Sequence, residues 1–140
     1  MKGAYILVSH LKKNSKIKIG KLGSIVFQKG YYCYVGSADG RSVNIENRTA
    51  RHERIASEKR GNLKWHIDYF LVNPNVSLVD IEKIDKGDEC RISKILEKSA
   101  RKTITGFGSS DCKNGCRGHL HYFRGVGSIE TLLEKTGGKK

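Results

Sequence analysis

Gly3-Ala4-Tyr5-Ile6-Leu7-Val8 opens the chain, and Tyr31-Tyr32-Cys33-Tyr34-Val35-Gly36 answers it further on. Both are short runs rich in β-branched and aromatic residues, the composition of strands. The first is almost continuously apolar, as expected for a strand covered on both faces. A phenol can donate and accept hydrogen bonds and, where its pKa is lowered, can take a proton. Two phenols on neighbouring strands, followed by a helix that carries arginines, suit phosphate chemistry. The plainer alternative is that such tyrosines only fill a sheet face, which strand tyrosines commonly do.

Outward from these runs the pattern is that of an α/β (α+β) chain. Lys16-Ile17-Lys18-Ile19 alternates, Gly20–Gly23 breaks it and Ser24-Ile25-Val26-Phe27 resumes, which predicts a hairpin inserted between the two tyrosine motifs. Gly36–Gly40 reads as a loop. From Val43 to Lys59 the spacing of Ile45, Thr49, His52 and Ile55 or Ala56 is helical, with Gly61-Asn62 as its stop. Arg48, Arg51 and Arg54 form a basic stripe along that helix. Lys64–Leu71 fits both helix and strand templates, and a short helix is the expectation. His66 and Asp68 would share a face only on a strand. Asn73-Pro74-Asn75 is a break, Val76–Ile84 a strand, and Asp88 the N-cap of a helix that carries Ile92, Ile95 and Leu96. Residues 102–125 are irregular except for a strand over His119–Phe123. Ser128 is positioned to cap a last helix through Glu134. A single domain over residues 1–136 with a frayed tail at 137–140 follows from these elements.

The chain has 140 residues, with 27 Lys and Arg against 14 Asp and Glu, a formal net charge of +13. Residues 1–70 hold fourteen basic and five acidic side chains, and residues 71–140 hold thirteen and nine, so the positive field is strongest around the tyrosine motifs. Such an excess favours a polyanionic partner, nucleic acid and DNA foremost. No apolar stretch has the length of a membrane span, and no signal-peptide core follows Met1-Lys2, which excludes a membrane role and makes a cytoplasmic location the expectation. The four cysteines are Cys33, Cys90, Cys112 and Cys116. The run Cys112-x3-Cys116-x2-His119-x-His121 has enough ligands for zinc, with Cys90 able to join. Buried thiols or a Cys90–Cys112 disulfide are the alternatives.

Taken together these blocks resemble the GIY-YIG endonuclease superfamily, and within it the small Uri-type subgroup. The resemblance rests on Gly3-Ala4-Tyr5, Tyr34-Val35-Gly36 and Ile45-x-x-Arg48-x-x-x-His52. Trp65-His66-Ile67-Asp68-Tyr69, Asp88-Glu89-Cys90 and Phe107-Gly108-Ser109-Ser110-Asp111-Cys112 with His119-Leu120 complete it. Ala4 replaces the usual isoleucine, and Ser110-Asp111 stands where the family often has an asparagine. The resemblance implies a central antiparallel sheet flanked by helices and a metal-dependent nuclease, a hydrolase of phosphodiester bonds in DNA or structured nucleic acid. It implies one magnesium or manganese ion held by Glu89. Tyr5 would help deprotonate water, with its pKa lowered by Arg48 and the ion. Tyr34 would lie beside it near the scissile phosphate, and Arg48 would hold that phosphate. His52 would act in proton transfer or hydrogen-bond Tyr34. Gly36, Arg51, Arg54, Lys64 and His66 are the candidate nucleic-acid contacts. Two rival readings stand beside this one: a non-catalytic nucleic-acid-binding module of the same fold, and a zinc-stabilised adaptor built on Cys112, Cys116 and His119.

Overall fold

The computed structural model describes residues 2–40, 44–108 and 115–125, together with 127, 129, 130 and 134. Its centre is β1 (Gly3–Leu11), which pairs antiparallel on one edge with β4 (Gly30–Ala38) and on the other with β5 (Val76–Asp85). β7 (Leu120–Phe123) and the two-residue β6 (Lys102–Thr103) extend the sheet, giving the order β5-β1-β4-β7-β6. All four pairings are antiparallel. The predicted hairpin forms as β2 (Ser15–Lys18) and β3 (Ser24–Phe27), a separate two-stranded sheet with a 3-10 turn at Gly20–Leu22. The architecture is α+β: a five-stranded antiparallel sheet flanked, among the described residues, by the helices α1 (Ile45–Glu58), α2 (His66–Leu71) and α3 (Glu89–Ser99).

The period of two along β1 sorts its side chains into two cores. Tyr5, Leu7 and Leu11 join one cluster with Ile45 and Ile55 of α1, Ile67 and Phe70 of α2, and Ile17 and Phe27 of the hairpin. Ala4, Ile6 and Val8 join the other with Cys33 and Val35 of β4 and Ile92 and Leu96 of α3. The continuous apolar run at the start of the chain therefore reflects coverage from both sides. The ambiguous segment around Trp65 is helical because Ile67, Phe70 and Leu71 close the first core at helical spacing. Phe70 packs against Phe27 and Tyr32 with ring centroids 5.1 Å away from each, and this contact docks the hairpin on the sheet.

The chain differs from the sequence expectation in several places. β4 continues through Gly36 and Ser37 to Ala38, where a loop was expected, because Gly3, Ala4 and Tyr5 of β1 supply partners for all three. Helix α1 stops before Gly61: Lys59 itself adopts the left-handed conformation (φ 56°) and donates its N–H to the Ile55 carbonyl. Asn44 provides the N-cap, its side chain accepting from the Asn47 N–H at 2.8 Å. Asp88 caps α3 as expected, accepting from the N–H groups of Cys90 and Arg91. β6 was not anticipated, since two residues carry no periodicity. Ser128 lies outside the described residues, and Ile129 is buried in the second core. None of the described helices is long and apolar enough to cross a membrane.

Phe70→Ala removes the ring that ties hairpin, α2 and sheet together. The expected cost is about 3–5 kcal/mol, read as a lowered urea midpoint with the slope of the transition unchanged.

Candidate active site

The register of β1 on β4 decides the relation of the two tyrosines. Tyr5 lies opposite Gly36, and Leu7 lies opposite Tyr34. Tyr34 is thus the diagonal neighbour of Tyr5 on the same sheet face. Their ring centroids are 6.5 Å apart. Gly36 makes the approach possible, because a Cβ there would sit 2.5 Å from both Cζ and the hydroxyl oxygen of Tyr5. Gly36, expected to contact nucleic acid, is buried and instead provides the space that the Tyr5 phenol crosses.

Helix α1 lays His52 over this pair. The Tyr5 hydroxyl and His52 Nε2 are 2.8 Å apart, in a hydrogen bond buried in the core. His52 meets Tyr34 only ring to ring, edge-on at 6.3 Å, so its polar partner is Tyr5 and not Tyr34. Burial pushes the His52 imidazole down to about 4, the nearby Asp68 charge opposing this, so the ring is neutral at pH 7. Burial raises the Tyr5 pKa well above the ordinary phenol value, outweighing Arg48, which acts on it by charge and hydrogen bonding. The resting group is a phenol, and Tyr34 is shifted the same way, with burial again the main cause.

Arg48 lies one helical turn before His52, on the same face of α1. Its Nη1 donates to the Ser37 carbonyl at 2.7 Å, and its guanidinium sits over the Trp65 ring, 4.8 Å from the centroid. Its Nε is buried without a hydrogen-bond partner among the described residues. Arg51 takes another course. It meets the buried Asp68 carboxylate through two 2.8 Å hydrogen bonds, donates to the Asn62 carbonyl and covers Trp65 at 4.7 Å. Burial raises the Asp68 pKa, but Arg51 and the N–H groups of Lys64 and Trp65 more than offset it, leaving a carboxylate held below its usual range. Trp65 therefore stacks with two arginines, one turned toward the tyrosines and one locked to α2. Nothing in the local sequence pattern marked Trp65 or Asp68 for that task, because the contacts are long-range.

Glu89 begins α3 and is half-buried. Its charge acts on both Tyr5 and Tyr34, and its Oε1 lies 3.6 Å from His119 Nδ1. A carboxylate in the first turn of a helix is a ligand that a hard divalent cation accepts, with water and substrate oxygens completing the shell. His66 and Asp68, on a helix rather than a strand, point to different neighbours: His66 Nδ1 accepts from the Gly108 N–H at 2.8 Å, and burial lowers its pKa. Arg54 and Lys64 are exposed and line a shallow groove with Arg51 and Arg60. Cys112 and Ser110-Asp111 lie outside the described residues. Of the predicted zinc ligands, Cys116 and His119 come together with Cys90. His121 does not join them, since its two ring nitrogens are engaged by Ser93 and Thr103 hydroxyls at 2.8 and 2.7 Å.

A family model described as "Domain of unknown function DUF123" matches residues 4–139. The chain belongs to that family. No curated protein and no solved structure matches the chain. Within this DUF123 domain, the matched span takes in both tyrosine motifs, the arginine helix, Glu89 and the Cys90–Cys116–His119 cluster.

Two predictions follow from the geometry. Gly36→Ala must displace the Tyr5 phenol from its place across the strand, and a destabilisation of about 1–3 kcal/mol is expected in denaturant melts. Unfolded His52 binds a proton below about pH 6.5, whereas in the folded chain it stays neutral until about pH 4. Stability therefore falls as pH drops through that window, and the His52 contribution vanishes above it. His52→Gln should make the slope of stability against pH shallower by on the order of 1 kcal/mol per unit. Equal slopes in variant and wild type would sink this account.

Proposed function

We propose that this DUF123 protein is a metal-dependent endonuclease of GIY-YIG type that hydrolyses phosphodiester bonds in DNA or structured nucleic acid. The observation that supports it most is the convergence of Tyr5, Tyr34, Arg48 and Glu89: the two phenols share a sheet face, and both charges act on them. The net charge of +13 and the exposed Arg54 and Lys64 fit a phosphate-rich partner.

The chemistry can be assigned to residues. Arg48 binds a non-bridging oxygen of the scissile phosphate through its guanidinium. As the attacking water forms its bond to phosphorus, its proton passes to the Tyr5 oxygen while the phenol proton moves to His52 Nε2. A neutral imidazole is required for that relay; burial keeps His52 neutral at rest, and the negative charge of the bound phosphate would stabilise the imidazolium that burial disfavours. The bond from phosphorus to the leaving oxygen breaks, and that oxygen takes a proton from solvent. Tyr34 borders the phosphate and helps exclude water. Glu89 would hold one magnesium or manganese ion, which when bound supplies positive charge to the phosphoryl and leaving oxygens.

The rival is a non-catalytic nucleic-acid-binding module, favoured by the raised Tyr5 pKa. One assay separates the two. The protein is incubated with branched, single-stranded and duplex DNA plus magnesium or manganese, alongside Tyr5→Phe and Glu89→Ala. Each substitution should slow cleavage by about a hundredfold or more while leaving DNA retention in gel shifts intact. Binding without any cleavage by wild type would favour the module, and cleavage that survives both substitutions would mean the site is misassigned.

A further inference from the structure

The thiols of Cys90 and Cys116 and the imidazole of His119 each offer a ligand atom, and these atoms lie within 4.8 Å of one another. We propose that they form a second metal site, distinct from the hard-cation position at Glu89, that binds a zinc-class ion and pins the start of α3 to the segment leading into β7. Metal–sulfur bonds of about 2.3 Å and metal–nitrogen bonds of about 2.0 Å around a tetrahedral ion set ligand atoms roughly 3.5–4 Å apart, so a small contraction closes the set.

His119 supplies the independent observation. It is 1 % exposed, and neither ring nitrogen has a hydrogen-bond partner among the described residues. A buried imidazole left this way costs free energy, which coordination through one nitrogen would recover. The other nitrogen already has a neighbour of the right kind. Nδ1 faces the Glu89 carboxylate at 3.6 Å, and metal-bound histidines are characteristically oriented by a carboxylate on their far nitrogen.

The thiols are placed to match. Cys90 is buried in the first turn of α3, where the helix dipole favours the negative charge of a thiolate. The Cys116 sulfur lies 3.9 Å from the Cys90 carbonyl oxygen, so the strand-leading segment already abuts the helix start. Two thiolates and an imidazole select zinc over magnesium or manganese, which prefer oxygen. The site's role is positional: it fixes the residue next to Glu89 and orients the imidazole that Glu89 faces. It does not depend on the nuclease reading, because metal content is measured without any substrate.

The test uses the full chain purified under reducing conditions and zinc or cobalt ions alone. Elemental analysis should find one zinc per chain. Cobalt replacement should give a thiolate-to-cobalt charge-transfer band and the visible bands of a tetrahedral ion. Cys116→Ser and His119→Ala should lose zinc affinity by at least about a hundredfold in competition with a chromophoric chelator, while Cys33→Ser, buried in the second core, keeps it. Chelation should lower the melting temperature of wild type and leave that of Cys116→Ser unchanged. The proposal is overturned if cobalt-loaded wild type shows no charge-transfer band. It is also overturned if affinity survives both ligand substitutions, or if intact-mass analysis of the reduced chain still finds Cys90 and Cys116 joined.

Discussion

β1 is paired along both edges and covered on both faces, and everything else in the domain is placed relative to it. A strand in that position has no freedom of register: a slip of one residue would exchange its two sets of side chains between the cores. The register holds Tyr5 opposite Gly36, and the missing side chain at Gly36 gives the phenol room to reach His52 on α1. The Tyr5–His52 hydrogen bond thus ties the sheet to the arginine helix through a polar contact inside an apolar layer. Buried polar groups of this kind are stable only when partnered, so sheet register and helix position specify each other.

The arginines of α1 illustrate how a uniform stripe is divided by tertiary contacts. Arg48, Arg51 and Arg54 are equivalent by spacing. Arg51 is consumed by Asp68, Arg54 is exposed, and Arg48, which shares the Trp65 ring with Arg51, reaches the Ser37 carbonyl of β4. Trp65 stacks on both neighbouring guanidiniums and holds them apart in direction. The Arg51–Asp68 pair satisfies a fully buried carboxylate that also receives two backbone N–H groups, and so fixes the first turn of α2.

The region opposite α1 is organised by a different chemistry. Ser93 and Thr103 hydroxyls complete the hydrogen bonding of His121, whereas His119, two residues earlier, is left to face Glu89 and the two thiols. The two histidines look alike in the sequence and are given opposite tasks by what α3 and β6 bring to them. Glu89 lies at the junction, with its charge acting on the phenols on one side and its carboxylate against His119 on the other.

Much of the fold was legible in the chain order of its residues. The double-faced strand, the inserted hairpin, the helical period from Ile45 onward and the Asp88 cap are local signals, set by side-chain periodicity and by short-range hydrogen bonding. A resemblance of ordered motifs offered Tyr5, Tyr34, Arg48, His52 and Glu89 as candidate site residues, and the fold brings the two phenols and His52 within ring contact of one another. Local pattern could not decide which phenol His52 bonds, which arginine is spent on a carboxylate, or how strongly burial opposes Arg48 at the Tyr5 phenol. It offered Cys90 as able to join Cys116 and His119, but could not show that His121 would be left out of their cluster. Those outcomes depend on burial and on distances between residues remote in sequence, and both exist only once the sheet and the helices have packed.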